Sequence, residues 1–162
     1  MDKKYLYWLF PILWMGIIFY SSATPYEQQD MKPFLGESVN LEFLEPLADE
    51  VRFTYNESIV SIETHGVEGI VEFFIRKGAH VFVFFILTLL FKLAFDKTTE
   101  MRFQNQVLFS FLLTAAYAIM DEIHQGFTPN RTAYMGDVFL DSMGSLIAVV
   151  LLIIIRKINW SK

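Results

Sequence analysis

Four long apolar segments limit what this chain can fold into. They cover residues 5–20, 73–95, 107–123 and 138–155 of a 162-residue sequence. A helix that crosses a bilayer needs about 20 mostly apolar residues, with a range of about 17–25, so each segment is of spanning length or close to it. Because 54% of the chain is hydrophobic, too little polar sequence remains to cover four such helices in water. We therefore predict an all-α membrane protein with about four transmembrane helices, built as a single domain over residues 1–162.

The distribution of lysine and arginine predicts the orientation of these helices. If both termini face inward, eight basic residues lie on the inner side: Lys3, Lys4, Lys92, Lys97, Arg102, Arg156, Lys157 and Lys162. Five lie on the outer side: Lys32, Arg52, Arg76, Lys77 and Arg131. Cytoplasmic flanks carry the excess of positive charge in membrane proteins. We therefore predict that both termini are inside and that residues 21–72 form an extracellular segment.

The first apolar segment has an alternative interpretation. Lys3 and Lys4, an apolar run and the small residues Ser21, Ser22 and Ala23 resemble a secretory signal peptide with its cleavage site. The run is aromatic-rich and long for the core of a signal peptide, which favours a retained membrane helix.

The extracellular segment predicts little regular structure except one hairpin. Its first half is interrupted by Pro25, Pro33, Gly36 and Pro46. Residues 51–55 then alternate between apolar and polar side chains, and residues 59–62 form a second β-prone run after Asn56-Glu57. This pattern predicts a small β-hairpin.

The charge-free part of the third apolar segment is too short to cross the hydrocarbon core of a membrane. Its charge-free part, residues 107–120, would form about 21 Å of helix, whereas the hydrocarbon core is about 30 Å thick. Asp121 and Glu122 must therefore lie partly inside the membrane boundary. A charge at the centre of the membrane costs about 2.5–3.5 kcal/mol on insertion scales, so a pair of carboxyls placed here indicates a function.

Other ionisable residues reach the same end of the predicted helices. Arg76, Lys77 and His80 open the second helix, Asp137 and Asp141 open the fourth, and Arg131 lies in the loop between the third and the fourth. Buried charges need partners of opposite sign. We therefore predict one polar cluster, with Asp121, Glu122 and His80 as candidate catalytic residues. The candidate ligand-binding residues are Ser22, Lys77, Gln125, Arg131, Asp137 and Asp141, and His124 is expected to be exposed in the loop.

Several other chemistries are less well supported. A structural ion network that locks three helices together would use many of the same residues. A zinc site from His80, His124 and a carboxyl lacks any familiar ligand spacing, and there is no cysteine, so we predict no metal and no cofactor. A Ser22 nucleophile with His80 as its base lacks a nucleophile motif. The net charge of −5 and the absence of a basic face argue against nucleic acid. A transporter is disfavoured because we expect the cytoplasmic half to be wholly apolar.

Three motifs in order carry a resemblance to a known family. They are Lys77-Gly78-Ala79-His80, then Asp121-Glu122-Ile123-His124-Gln125 followed by Arg131, then Asp137 with Asp141 and Gly144. Together with Ser21-Ser22 after the first helix, they resemble the VanZ-like family. That family usually has Asn at the position of Asp141, so this chain carries an additional negative charge there.

The resemblance implies a multi-pass protein of the bacterial cell membrane, with a role in resistance to teicoplanin-type lipoglycopeptides. It implies an extracytoplasmic polar site that binds the drug or a lipid-linked wall precursor, with membrane lipid as a further partner. The alternative is a membrane enzyme that modifies a surface glycopolymer or a lipid headgroup by carboxylate and histidine acid–base chemistry. Whether the chain is an enzyme stays open.

Overall fold

A computed structural model describes residues 3–160 of the chain, so Lys162 lies outside the described residues. Helices account for 78% of the residues, and four of them are long and apolar enough to cross a membrane, which confirms the predicted fold class. The chain is a multi-pass membrane protein. The first span consists of a 3-10 helix, Lys3–Trp8, that leads into α1 (Leu9–Ala23). The other three spans lie in α4 (Ile62–Thr98), α5 (Phe103–Gln125) and α6 (Met135–Trp160).

The helices extend beyond the predicted apolar segments. α4 begins at Ile62 instead of residue 73, although Gly66 interrupts its helical backbone with φ 66° and ψ 175°. α5 continues to Gln125, so that Asp121 and Glu122 lie inside its last two turns. Backbone hydrogen bonds continue a helix past the point where its side chains cease to be apolar, and hydropathy alone does not detect that continuation.

The segment between the first two spans contains more structure than expected. Besides α2, Lys32–Ser38, and α3, Glu45–Ala48, it has two 3-10 helices, Tyr26–Gln28 and Glu42–Leu44. The predicted hairpin is confirmed as β1, Arg52–Tyr55, paired antiparallel with β2, Ser58–Ser61.

The turn of this hairpin explains its sequence. Asn56 and Glu57 both have positive φ, 45° and 63°. Two central residues in the left-handed region are typical of the tight turn that matches the twist of a two-residue hairpin, and Asn tolerates that conformation better than most residues.

Residues 25–79 form one compact unit with its own core. The core consists of Leu35, Leu41, Ala48, Val60, Val67 and Ile70. Glu72 belongs to the same unit and is only 3% exposed. A carboxylate buried to this extent needs hydrogen-bond donors, and Glu72 has them. Arg76 Nη2 donates to it at 2.6 Å and Tyr26 Oη at 3.3 Å. A buried acid is thus neutralised inside this unit.

Residues 1–24 and 80–162 form the second unit, whose described part contains the helical bundle. Its hydrophobic core is built from α1, α4, α5 and α6 and consists of Ile18, Phe84, Leu87, Phe91, Tyr117, Ala118 and Val138. Two indoles of the N-terminal span donate to α4: Trp8 to Thr98 Oγ1 at 3.2 Å and Trp14 to the carbonyl of Val83 at 2.9 Å. These bonds anchor the first span to the bundle.

Polar side chains also lie in the middle of the bundle. Thr88 Oγ1 lies 2.7 Å from Ser145 Oγ and 3.2 Å from Thr114 Oγ1, and all three residues are fully buried. Gln106 and Ser110 are buried closer to the start of α5. The expectation of a wholly apolar inner half is therefore wrong. Small hydroxyl residues score close to neutral on a hydropathy scale and do not interrupt an apolar segment, yet they form hydrogen bonds between helices inside a membrane.

α4 and α6 touch through their backbones. A Cβ atom built on Gly144 would collide with the carbonyl of Val81. Only glycine therefore allows this approach. The contact lies one turn along α6 from Asp141, so it fixes the distance between that residue and α4.

Candidate functional site

Asp121 is the centre of the site. Its Oδ2 accepts two hydrogen bonds, one from Ser22 Oγ on α1 and one from Gln125 Nε2 on α5, each at 2.9 Å. Residues four apart share a helix face, which is why Gln125 reaches Asp121. The amide oxygen of Gln125 in turn accepts from Arg131 Nη1 at 3.1 Å. A chain of hydrogen bonds thus runs from α1 through α5 to the loop before α6.

Glu122 is held by the loop that follows its own helix. Its Oε1 accepts from the backbone N–H of Tyr134. The loop is tied to α1 as well, because Thr128 Oγ1 donates to the carbonyl of Ser22 at 3.2 Å. Asn130, with φ 57°, supplies the left-handed position that a tight loop needs. The loop therefore packs on the carboxyls as part of the site.

Asp141 pairs with His80. The Nδ1 atom of His80 lies 3.2 Å from Oδ1 of Asp141. The carboxyl is fully buried, whereas the imidazole keeps 19% of its side chain exposed. A carboxyl group at this distance orients an imidazole through a hydrogen bond.

The three buried carboxyls share one further property. One oxygen of each has no hydrogen-bond partner among the described residues: Asp121 Oδ1, Glu122 Oε2 and Asp141 Oδ2. Each of these residues is at most 3% exposed. A buried polar group without a partner costs about 1–3 kcal/mol. The bundle unit therefore contains three buried carboxyl oxygens that could accept further hydrogen bonds.

Asp137 and Lys77 are two further residues of the predicted site. Asp137 lies in the first turn of α6 and is half-buried, with its N–H bonded to the carbonyl of Tyr134 at 2.8 Å. Lys77 belongs to the unit of residues 25–79, where its Nζ lies 4.4 Å from the ring centre of Tyr55. The roles given to Asp137 and Lys77 stay predictions.

His124 is neither exposed nor in the loop, so that expectation is wrong. It lies in the last turn of α5, and its ring stacks on Phe19 of α1 with centroids 4.0 Å apart and an interplanar angle of 13°. The helix continues through this residue, which directs the imidazole to the first helix. Among residues 3–160, no group of three His, Cys, Asp or Glu side chains is placed to hold a metal ion.

Sequence reasoning missed three contributors to the site. Thr128 and the backbone N–H of Tyr134 act through a loop whose path no local pattern reveals. Tyr117 is buried in the core, and its hydroxyl donates to the carbonyl of Met15 at 2.6 Å. The helical spacing of Tyr117 from Asp121, four residues, is the one signal that could have included it.

The sequence of the chain matches one known protein family over most of its length. Residues 7–156 match the family described as VanZ/LLP1. The chain belongs to the VanZ/LLP1 family. This confirms the resemblance that the three motifs carry. No curated protein and no solved structure matches the chain.

Within this VanZ/LLP1 chain, Asp141, the position at which the motif resemblance leads one to expect an asparagine, is the residue that pairs with His80. An asparagine oxygen at position 141 could accept the same ring N–H, but it would carry no charge. Asp141 therefore changes the electrostatics of the pair and keeps its geometry.

Proposed function

We propose that this chain is a bacterial envelope protein whose buried carboxyls bind the hydrogen-bond donors of an extracytoplasmic ligand. The observation that carries the proposal is the set of three buried carboxyl oxygens, on Asp121, Glu122 and Asp141, that have no hydrogen-bond partner within residues 3–160. Hydroxyl or ammonium groups of a ligand would satisfy these acceptors and recover the cost of leaving them bare.

The chemistry of the site favours a ligand that is polar at one end and lipidic at the other. The carboxyls lie in the last turns of α5 and the first turns of α6. The outer surfaces of these helices carry exposed apolar side chains, among them Ile119, Met120 and Phe139. A lipoglycopeptide of the teicoplanin type, or a lipid-linked wall precursor, has sugar hydroxyls for the carboxyls and a lipid tail for the apolar surface. Arg131, half-buried, would bind an anionic group of that ligand.

A second candidate function rests on a different observation. The pairing of His80 with Asp141 at 3.2 Å resembles the way enzymes orient an imidazole for proton transfer. In an enzyme that modifies a surface glycopolymer or a lipid headgroup, His80 would transfer the proton. Glu122 or Asp121 would serve as the partner acid or base, and Arg131 would stabilise developing negative charge.

The first test is drug susceptibility in a sensitive Gram-positive host. Wild type, Glu122→Gln, His80→Ala and Arg131→Lys would be expressed at membrane levels matched by immunoblot, and teicoplanin would be compared with vancomycin, which lacks the lipid tail. We expect wild type to protect against teicoplanin and Glu122→Gln to lose that protection. Equal protection by all three variants would mean that the cluster is structural, and no protection by wild type would remove the resistance role from this chain.

Asp121→Glu separates an enzymatic role from a structural one. An enzyme needs its carboxylate placed within a fraction of an ångström, so the longer side chain should abolish activity. A structural network would tolerate the change in part, and the melting temperature in detergent would report it. Ser21→Ala, at an exposed position on the same end of α1, is the matched control.

A further inference from the structure

A groove lies between α5 and α6 at the opposite end of these helices from the carboxyls. It has a volume of about 290 Å³ and is lined by Phe103, Gln104, Val107, Leu108, Phe111, Leu146, Val149 and Ile153. All of these residues except Gln104 are apolar. Leu108 and Leu146 are each 52% exposed, so the groove opens sideways, toward the space that a bilayer would fill.

The groove becomes cationic at the end nearest the C-terminus of α6. A second hollow of about 340 Å³ shares Phe103, Gln104 and Ile153 with the first and adds Arg156 and Lys157. The Arg156 guanidinium carbon lies 4.5 Å from the ring centre of Phe103, which places its charge over the groove. Within the described part of the chain, neither Arg156 nor Lys157 forms an ion pair with an acidic residue.

The start of α5 adds a third feature to the same place. Its N-cap residue, Arg102, makes no side-chain hydrogen bond to the first turn. The first backbone N–H groups of a helix have no partner within the helix, and they carry a partial positive charge. Phe103 and Gln104, whose side chains line both hollows, are the first two residues of that turn. Backbone donors and two cationic side chains therefore converge at one end of an apolar groove.

We propose that this groove binds one anionic phospholipid. An acyl chain would lie along Val107, Leu146 and Val149, and the phosphate would contact Arg156, Lys157 and the first turn of α5. A helix of a second copy would fit the apolar part but leave the cationic end without a partner, whereas a phospholipid matches both. The proposal does not depend on the function of the carboxyl site.

The test is native mass spectrometry of the delipidated full-length protein in mild detergent. The protein is titrated with phosphatidylglycerol and with phosphatidylcholine of the same acyl chains. We expect one phosphatidylglycerol per chain at concentrations where phosphatidylcholine is not retained. Each of Arg156→Gln and Lys157→Gln should weaken retention about fivefold, since a basic residue near a lipid headgroup contributes about 1 kcal/mol.

Two matched controls address charge and shape. Lys97→Gln removes a positive charge from the end of α4, at a residue that does not line the groove. Leu146→Trp fills the groove, whereas Ile147→Trp adds the same bulk at a neighbouring exposed position. We expect Leu146→Trp alone to block lipid binding, with unchanged helicity by circular dichroism; Val149→Trp replaces it if Leu146→Trp does not fold.

Five results would overturn the proposal. Equal retention of the two lipids, or an equal loss with Lys97→Gln, would reduce the effect to general surface charge. Equal behaviour of the two tryptophan variants would remove the groove from the argument. Displacement of the lipid by inorganic phosphate alone would show an anion site without a lipid. A dimer mass that Leu146→Trp abolishes would assign the groove to a second copy of the chain.

Discussion

The hydroxyl of Ser22 and a carboxyl oxygen of Asp121 are 2.9 Å apart, although 99 positions separate the two residues in the chain. This bond joins the end of α1 to the last turns of α5. The same oxygen accepts from Gln125, so Asp121 is held from two sides while its other oxygen has no partner among the described residues. A carboxyl that is fixed in this way can present its second oxygen to a ligand without first losing side-chain entropy.

Ser22→Ala should destabilise the bundle by about 1 kcal/mol, the net contribution of a typical hydrogen bond. It removes one of the two donors to Asp121 Oδ2 and leaves the backbone carbonyl that Thr128 contacts in place. The measurement is thermal unfolding in detergent. Ser21→Ala, at an exposed position, should stay within about 0.5 kcal/mol of wild type. An equal loss in both variants would contradict a specific role for the Ser22 bond.

Asp141→Asn should fold as well as wild type, whereas Asp141→Ala should lose about 1–3 kcal/mol. The amide oxygen can still accept a hydrogen bond from the ring N–H of His80. A methyl group leaves that ring without its partner and also leaves a cavity. Thermal unfolding of the two variants side by side measures the difference. If asparagine costs as much as alanine, the charge and not the hydrogen bond holds the pair together.

Gly144→Ala should push α4 and α6 apart and lower the free energy of unfolding by about 1–3 kcal/mol, a typical penalty for overpacking. The added methyl group meets the carbonyl of Val81, which belongs to a helix backbone and cannot rotate away. Gly16→Ala on α1 is the matched control, because a Cβ there meets nothing within 4 Å. The control should be neutral or stabilising, since alanine favours helix over glycine. A neutral Gly144→Ala would show that the two helices can part without cost.

Thr88→Val should lower the free energy of unfolding by about 0.6 kcal/mol and by at most about 1.7 kcal/mol, the average and the maximum measured for hydrogen bonds between membrane helices. It removes the hydroxyl that contacts Ser145 and Thr114 on other helices as well as the carbonyl of Phe84 in its own, and it changes the volume little. Ser110→Ala provides the comparison, because that hydroxyl donates to the carbonyl of Gln106 in its own helix. Unfolding of both variants should rank Thr88→Val as the more damaging. The reverse order would assign the main role to contacts within a helix.

The parts of the fold that depend on local pattern were predictable from the sequence. Four apolar segments indicated four spans, and Asn56-Glu57 between two β-prone runs indicated the hairpin. The position of Asp121 and Glu122 at the end of a helix followed from a length argument, because residues 107–120 are too few to span.

Features that depend on which helix faces meet were not predictable. Thr88, Thr114 and Ser145 come from three helices, and no single segment shows that their hydroxyls turn inward. His124 was placed in a loop because the helix end could not be located to within one turn. Partners such as Ser22 and Asp121 could be assigned to one end of the bundle, but the choice of partner is set by packing.

The hydroxyl contact of Thr88 with Ser145 and Thr114 also restricts how the bundle can move. The three side chains bond at one level of three helices, so a slide of any helix along its axis by one turn, about 5.4 Å, breaks hydrogen bonds between the helices, although Thr88 keeps the carbonyl of Phe84, 3.0 Å away in its own helix. A small tilt about that level preserves them. The contact therefore favours rotation of the helices around this level over sliding along their axes as the way in which the carboxyls at the end of α5 change position.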